Sequence, residues 1–198
     1  MAITKYKGKQ LIAFGDSITA GAGAANNLSY IQIVARELGM TLINKGVSGC
    51  TINENLSDML KVDFTNAAIV TIMTGTNGTG NIGTINDIAD DYNNNNASTF
   101  IGKLGKFVEY VRCQNPYLKV FLLTPPRCGG ILGKSTTISD AYKEVSKRLA
   151  VKVIDVRNNC GVCYDSNSNK FRAYSTDGTH PSAIGHEMIA EYVLSEIY

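Results

Sequence analysis

The sequence predicts a three-layer α/β/α sandwich around a five-stranded parallel sheet. Two observations lead there. Short apolar, β-branched runs alternate with amphipathic stretches of helical length, the pattern of strand–helix units whose sheet is covered on both faces. Each apolar run is also far shorter than the ~20 residues a membrane span needs, so the runs belong to a folded core. Right-handed crossovers between parallel strands then leave few topologies, of which the flavodoxin-like order 2-1-3-4-5 is favoured.

The strands fall at residues 10–15 (QLIAFG), 41–46 (TLINKG), 67–74 (AAIVTIMT), 119–124 (KVFLLT) and 151–156 (VKVIDV). Between them, "SYIQIVAREL" stops at Gly39, "ASTFIGKLGKFVEYVRCQN" stops before Pro116, and "TISDAYKEVSKRLA" runs directly into the fifth strand. Glycine and proline just past an amphipathic run are helix stops. The last stretch, "PSAIGHEMIAEYVLSEI", opens on Pro181, a residue suited to the first helical turn. The Asn-rich tract "NDIADDYNNNNAS", 86–98, reads as a surface loop ahead of the long helix. No internal repeat or boundary interrupts the pattern, so one domain over residues 1–198 is expected.

Hydrophobic content of 44%, charged content of 18% and a net charge of +2 describe an ordinary globular protein. They argue against a disordered tail and against nucleic acid as a partner. The start "MAITKYKGKQ" lacks the apolar core of a signal peptide, so a cytoplasmic location is the default expectation, with export or membership of a larger assembly left open. Five cysteines (Cys50, Cys113, Cys128, Cys160 and Cys163) are an odd number in a chain large enough to fold without staples, and no disulfide framework is expected. "CGVC" at 160–163 has C-x-x-C spacing. It lacks the second ligand pair that zinc requires and is followed by loop-like "YDSNSNK", so it reads as incidental.

In parallel sheets of this kind, ligands bind beyond the carboxyl ends of the strands. The chain places Asp16-Ser17 after strand one, Ser48-Gly49 after strand two and Gly75-Thr76-Asn77-Gly78 after strand three. "PPRCGG" follows strand four, and a long loop ending in "DGTH" follows strand five. A serine hydroxyl is a weak nucleophile until a base takes its proton, and the usual base is a histidine oriented by a carboxylate. The sequence has two histidines. His180 lies three residues after Asp177, a spacing that lets the carboxylate turn back to Nδ1 and leaves Nε2 facing Ser17. His186 lies inside the last helical stretch and reads as structural. Attack by a serine on an ester creates an oxyanion, which needs preorganised donors. A Gly49 backbone N–H and an Asn77 carboxamide are of the right kind, although each is also an ordinary turn residue.

Two phosphate-binding rivals are weaker. "CGGILGKST" nearly spells a P-loop, but Cys128 replaces its first glycine. "GTGNIG", residues 78–83, fits G-x-G-x-x-G after a strand, yet no convincing helix begins at its end.

Taken together, "FGDSITAG", "NKGVSG", "TGTNG" and "DGTHPS" resemble, in order and spacing, the four blocks of the SGNH, or GDSL-type, esterase and lipase family. The resemblance covers nearly the whole chain. It implies an SGNH hydrolase fold and a serine ester hydrolase acting through an acyl-enzyme, with no metal and no organic cofactor. Ser17 would be the nucleophile, His180 the base and Asp177 its carboxylate partner, with Ser17, Gly49 and Asn77 forming the oxyanion hole. "TPPR" at 124–127 also resembles a stretch common in the family. Gly78 departs from the pattern, because an acidic residue often follows the asparagine, and this leaves open how firmly the Asn77 loop is held.

Asp16 is expected to brace neighbouring loops without a catalytic step, and the small residues "AGAGAA" to leave room for an acyl group. Polar loops rich in Gly, Asn and Thr favour a small-molecule or carbohydrate ester, first of all acetyl esters of carbohydrates. Lysophospholipid or thioester hydrolysis, or a noncatalytic glycan-binding module on an esterase fold, are the alternatives. Arg127 and Lys134 are candidate contacts to an acidic sugar or a headgroup. The oligomeric state is not legible in the sequence.

Overall fold

The computed structural model describes residues 5–89, 91–127, 135–163, 171–175 and 177–198. Strands β1 (Gln10–Gly15), β2 (Thr41–Gly46), β3 (Ala67–Met73), β4 (Lys119–Leu123) and β5 (Lys152–Ile154) form one sheet in the order β2-β1-β3-β4-β5. Every pairing is parallel. The fold is the SGNH-type α/β sandwich that the sequence predicts. β5 is shorter than the expected 151–156 because the chain leaves the sheet at Asp155, whose carboxylate accepts from Thr124 Oγ1 (3.0 Å) and Asn158 Nδ2 (2.8 Å).

Alternate residues of each strand feed two different cores. Leu11 and Ala13 of β1, Ile69 and Met73 of β3, and Phe121 and Leu123 of β4 pack toward α2 (Tyr30–Leu38) and α8 (Ala183–Ile197). Ile12, Phe14, Val70, Ile72, Val120 and Leu122 pack toward α3 (Ile52–Met59), α4 (Phe100–Gln114) and α5 (Ser135–Leu149). A strand covered on both faces reads as a continuous apolar run, which is why these segments were legible. Each such side chain contributes about 1.5–3 kcal/mol on burial.

Helix ends follow local chemistry. α2 begins where the Ser29 N–H donates to Gln32 Oε1 (2.7 Å) and ends at Gly39 in the left-handed region. α3 was not anticipated, although Thr51 and Glu54 spell its capping box: Thr51 Oγ1 accepts the Asn53 N–H (3.2 Å) and Glu54 Oε2 accepts the Thr51 N–H (2.8 Å). Pro181 precedes α8 instead of opening it. Ser182 is the cap, its Oγ accepting the Gly185 N–H at 3.2 Å, while Pro181 pairs with Ser175 in an isolated antiparallel bridge. The long loop after β5 contains short helices α6 (Val156–Asn159) and α7 (Phe171–Tyr174).

The Asn-rich tract is built from turns. Single 3-10 turns at Ile85–Asp87 and Tyr92–Asn94 are joined by Asn96 Nδ2 donating to Asp87 Oδ1 (2.8 Å), and the Ala89 N–H reaches Asn95 Oδ1. Within the glycine-rich "GTGNIG", the Asn81 and Ile82 carbonyls accept the N–H groups of Phe100 (2.8 Å) and Ile101 (3.0 Å). The segment thus satisfies the free donors that open α4, and no helix starts at its end. The P-loop-like stretch lies largely outside the described residues, Cys128 and Lys134 included. Among the described residues no helix is long and apolar enough to cross a membrane.

Candidate active site

β1 lies between β2 and β3, with Gly15 opposite Gly46 and Met73, so the loops leaving all three strands emerge side by side. The first loop is short. Asp16 Oδ1 accepts the Ile18 N–H (2.9 Å) and caps α1 (Ser17–Ala20), which places Ser17 at the first helical position beside the free N–H groups of a helix start.

Ser17 meets a side chain 163 residues away: its Oγ lies 2.9 Å from His180 Nε2. On the other side of the ring, His180 Nδ1 lies 2.6 Å from Asp177 Oδ2. The Ser175–Pro181 bridge closes the loop that carries both residues, and Asp177 Oδ1 accepts the N–H groups of Thr179 (2.9 Å) and His180 (2.8 Å). With the carboxylate accepting at Nδ1, the ring takes the tautomer whose Nε2 accepts the serine proton. Partial burial raises the Asp177 carboxyl, but the His180 backbone, the His180 ring and the Thr179 backbone outweigh it and hold the group well below the usual carboxylate range.

The small residues after Ser17 serve this contact. A Cβ at Gly23 would stand 2.2 Å from Pro181 O and 3.3 Å from His180 Cβ, so glycine there admits the histidine loop. At this position the expected room for an acyl group is taken by backbone.

The second and third loops are laced together. The Val47 N–H donates to Gly15 O (3.2 Å) and the Cys50 N–H to Val47 O (3.1 Å), which turns Gly49 outward at φ +78°. That conformation favours glycine, although the space around it is open. Asn77 Nδ2 donates to Cys50 O at 2.9 Å, and the amide carries a second hydrogen. Gly78 does not leave the loop loose. Its N–H donates to Gly75 O (3.2 Å), while the Thr74 N–H donates to Tyr142 Oη (3.0 Å), which itself donates to Thr74 O (2.9 Å). Tyr142 and the Cys50 carbonyl were missed in the sequence, since nothing local marks a tyrosine 68 residues away as an anchor.

Arg127 is exposed, and its Nη2 donates to Asn158 Oδ1 of α6 at 3.1 Å. The structure ties it to that helix and shows no hydrogen bond from it to Ser17 or His180. Cys160 is buried at the end of α6 and Cys163 is exposed; neither is in a disulfide, and burial pushes the Cys160 thiol up to about 11. Among the described residues no group of three or more His, Cys, Asp or Glu is arranged to hold a metal ion.

His186 sits in the core, its Nδ1 accepting the Tyr30 N–H (3.1 Å) and its Nε2 donating to Ala22 O (3.0 Å). Burial lowers its pKa below the ordinary 6.5. The unfolded chain therefore takes up this proton first: the contribution of neutral His186 is complete above about pH 6.5 and is lost as pH falls through the folded value. Urea titrations of wild type and His186→Asn should differ by about 1–3 kcal/mol at pH 7.5 and converge toward pH 5. Parallel stability curves over that range would show that the ring is not held neutral.

No curated protein matches this chain. Solved structures do match, at identities that speak for the fold alone. A Lactobacillus plantarum protein superposes with a TM-score of 0.81 at 21% identity, covering 96% of this chain and 97% of its own. A lipase from a goat rumen metagenome gives 0.65 at 22%, covering 94% and 96%. A catalytic mutant of an acetylxylan esterase from Geobacillus stearothermophilus gives 0.66 at 22%, covering 97% and 95%. The profile of the GDSL-like Lipase/Acylhydrolase family matches residues 13–188, which span the four loops just described. With a match over that much of its length, the chain belongs to the GDSL-like lipase/acylhydrolase family of ester hydrolases.

Proposed function

We propose that the protein hydrolyses esters through a covalent acyl-enzyme on Ser17. The observation that carries this reading is the imidazole of His180 standing between Ser17 Oγ and Asp177 within hydrogen-bond reach of both. His180 Nε2 takes the hydroxyl proton as Oγ attacks the ester carbonyl, and Asp177 holds the ring and balances its charge. The oxyanion is received by the Ser17 N–H, the Gly49 N–H and the second Asn77 Nδ2 hydrogen. Collapse of the intermediate breaks the bond to the alcohol oxygen, which takes the proton from His180. Water, deprotonated by the same ring, then attacks the acyl carbon and releases the acid.

The substrate class we infer is a short acyl ester, an acetyl ester of a carbohydrate. Gly49, Asn77 and Asp177 are exposed and Val47 is the exposed apolar residue of the second loop, so this side of the site offers an open polar rim. One protein of the same fold is an acetylxylan esterase, so the fold accommodates deacetylation of a glycan. A series of p-nitrophenyl esters from two to twelve carbons, then acetate release from O-acetylated xylan, tests this. Falling kcat/KM with chain length supports it; a steep rise toward twelve carbons overturns it. Asn77→Ala should lower kcat by about 10² to 10³ with little change in KM, because its donor acts on charge present only in the transition state. An unaltered kcat would remove Asn77 from the oxyanion hole.

A further inference from the structure

The register of β1 against β3 sets the residues after Gly15 beside those after Met73, and two buried oxygens are left without partners where these loops meet. Asp16 is fully buried, and while its Oδ1 caps α1, its Oδ2 has no hydrogen bond of acceptable geometry among the described residues. Thr76 Oγ1, on the third loop, is likewise shielded from solvent and unpartnered. Two such orphans, a hydroxyl donor and a carboxylate acceptor, satisfy each other at no further desolvation cost. Burial raises the Asp16 carboxyl, and the Thr76 hydroxyl is among the groups that pull it back down, which sets the two within interacting range. Thr76 also directly precedes Asn77, in a turn bounded by Gly75 at φ +116° and Gly78 at φ +117°. Those backbones lack side chains to brace them, and the Asn77 side chain is otherwise tied only to Cys50 O.

We propose that Thr76 is a positioning residue whose hydroxyl donates to Asp16 Oδ2, tying the turn that carries Asn77 to the strand end that carries Ser17. The bond fixes the Asn77 amide relative to the serine. It explains why a buried carboxylate stands next to a nucleophile where it takes no part in proton transfer. The inference rests on the reading of Asn77 as an oxyanion donor.

The test is a double-mutant cycle on p-nitrophenyl acetate with Thr76→Val, Asn77→Ala and the pair, with Thr76→Ser as rescue and Ser17→Ala as control. Thr76→Ala stands in should the valine variant fail to fold. Thr76→Val should lower kcat about 10-fold with KM within about 2-fold, and Thr76→Ser should recover most of the loss. In the Asn77→Ala background the valine change should cost less than about 2-fold, because the donor it positions is gone. A normal kcat for Thr76→Val with Ser17→Ala inactive overturns the proposal while leaving the mechanism standing. So does an equal loss in both backgrounds, which would mark a general structural role. A normal kcat for Asn77→Ala overturns the oxyanion reading and this inference with it.

Discussion

Ser17→Ala should hydrolyse p-nitrophenyl acetate about 10⁴- to 10⁶-fold more slowly than wild type, with KM little changed. Substrate binding does not need the hydroxyl, whereas the reaction does: without Oγ no acyl-enzyme forms, and only positioning and the oxyanion donors remain to assist water. The fold should be indifferent to the change. The hydrogen bond of the hydroxyl is to His180, and the start of α1 is capped by Asp16 Oδ1. Thermal unfolding of the variant near that of wild type, together with loss of the p-nitrophenol burst, is the expected pair of results. Retention of more than a tenth of the turnover would end the role of Ser17 as nucleophile.

Asp177→Asn should be nearly as damaging, about 10⁴-fold in kcat, through the ring it orients. An asparagine can still accept the Thr179 and His180 N–H groups that Asp177 Oδ1 accepts, so the loop should stay closed. Its amide nitrogen, facing Nδ1 in place of Oδ2, is a donor. The imidazole then accepts at Nδ1 and carries its proton on Nε2, where it can no longer take one from Ser17. Because its neighbours hold Asp177 well below the usual carboxylate range, its own titration should leave no mark on kcat/KM between about pH 4 and 9. A kcat within about 10-fold of wild type would mean that the carboxylate does not govern the tautomer.

Much of the fold was legible because its signals are local. The runs that became β1 to β4 are covered on both faces and so are continuously apolar, and the stops at Gly39 and Pro116 act through their own backbones. α3 was missed although its Thr51–Glu54 box is written in the sequence, because an eight-residue helix with few apolar residues gives little periodicity to notice. The Asn-rich tract was read as an unbraced loop because composition does not reveal that Asn95 and Asn96 reach back to residues 89 and 87.

The residues of the candidate site were also local to find. A hydroxyl at the end of a buried strand and an Asp-x-x-His loop each announce a chemistry within a few residues. By itself, then, the sequence determined the strand order, the family and which side chains could act. Tertiary structure alone decided the rest: the 2.9 Å approach of His180 to Ser17, the backbone contact that demands Gly23, the lacing of Asn77 to Cys50 O, and the capture of Arg127 by Asn158. The physical reason is range. Backbone preference and hydrophobic period act over a few residues, whereas a hydrogen bond between distant loops exists only after the sheet has set their separation.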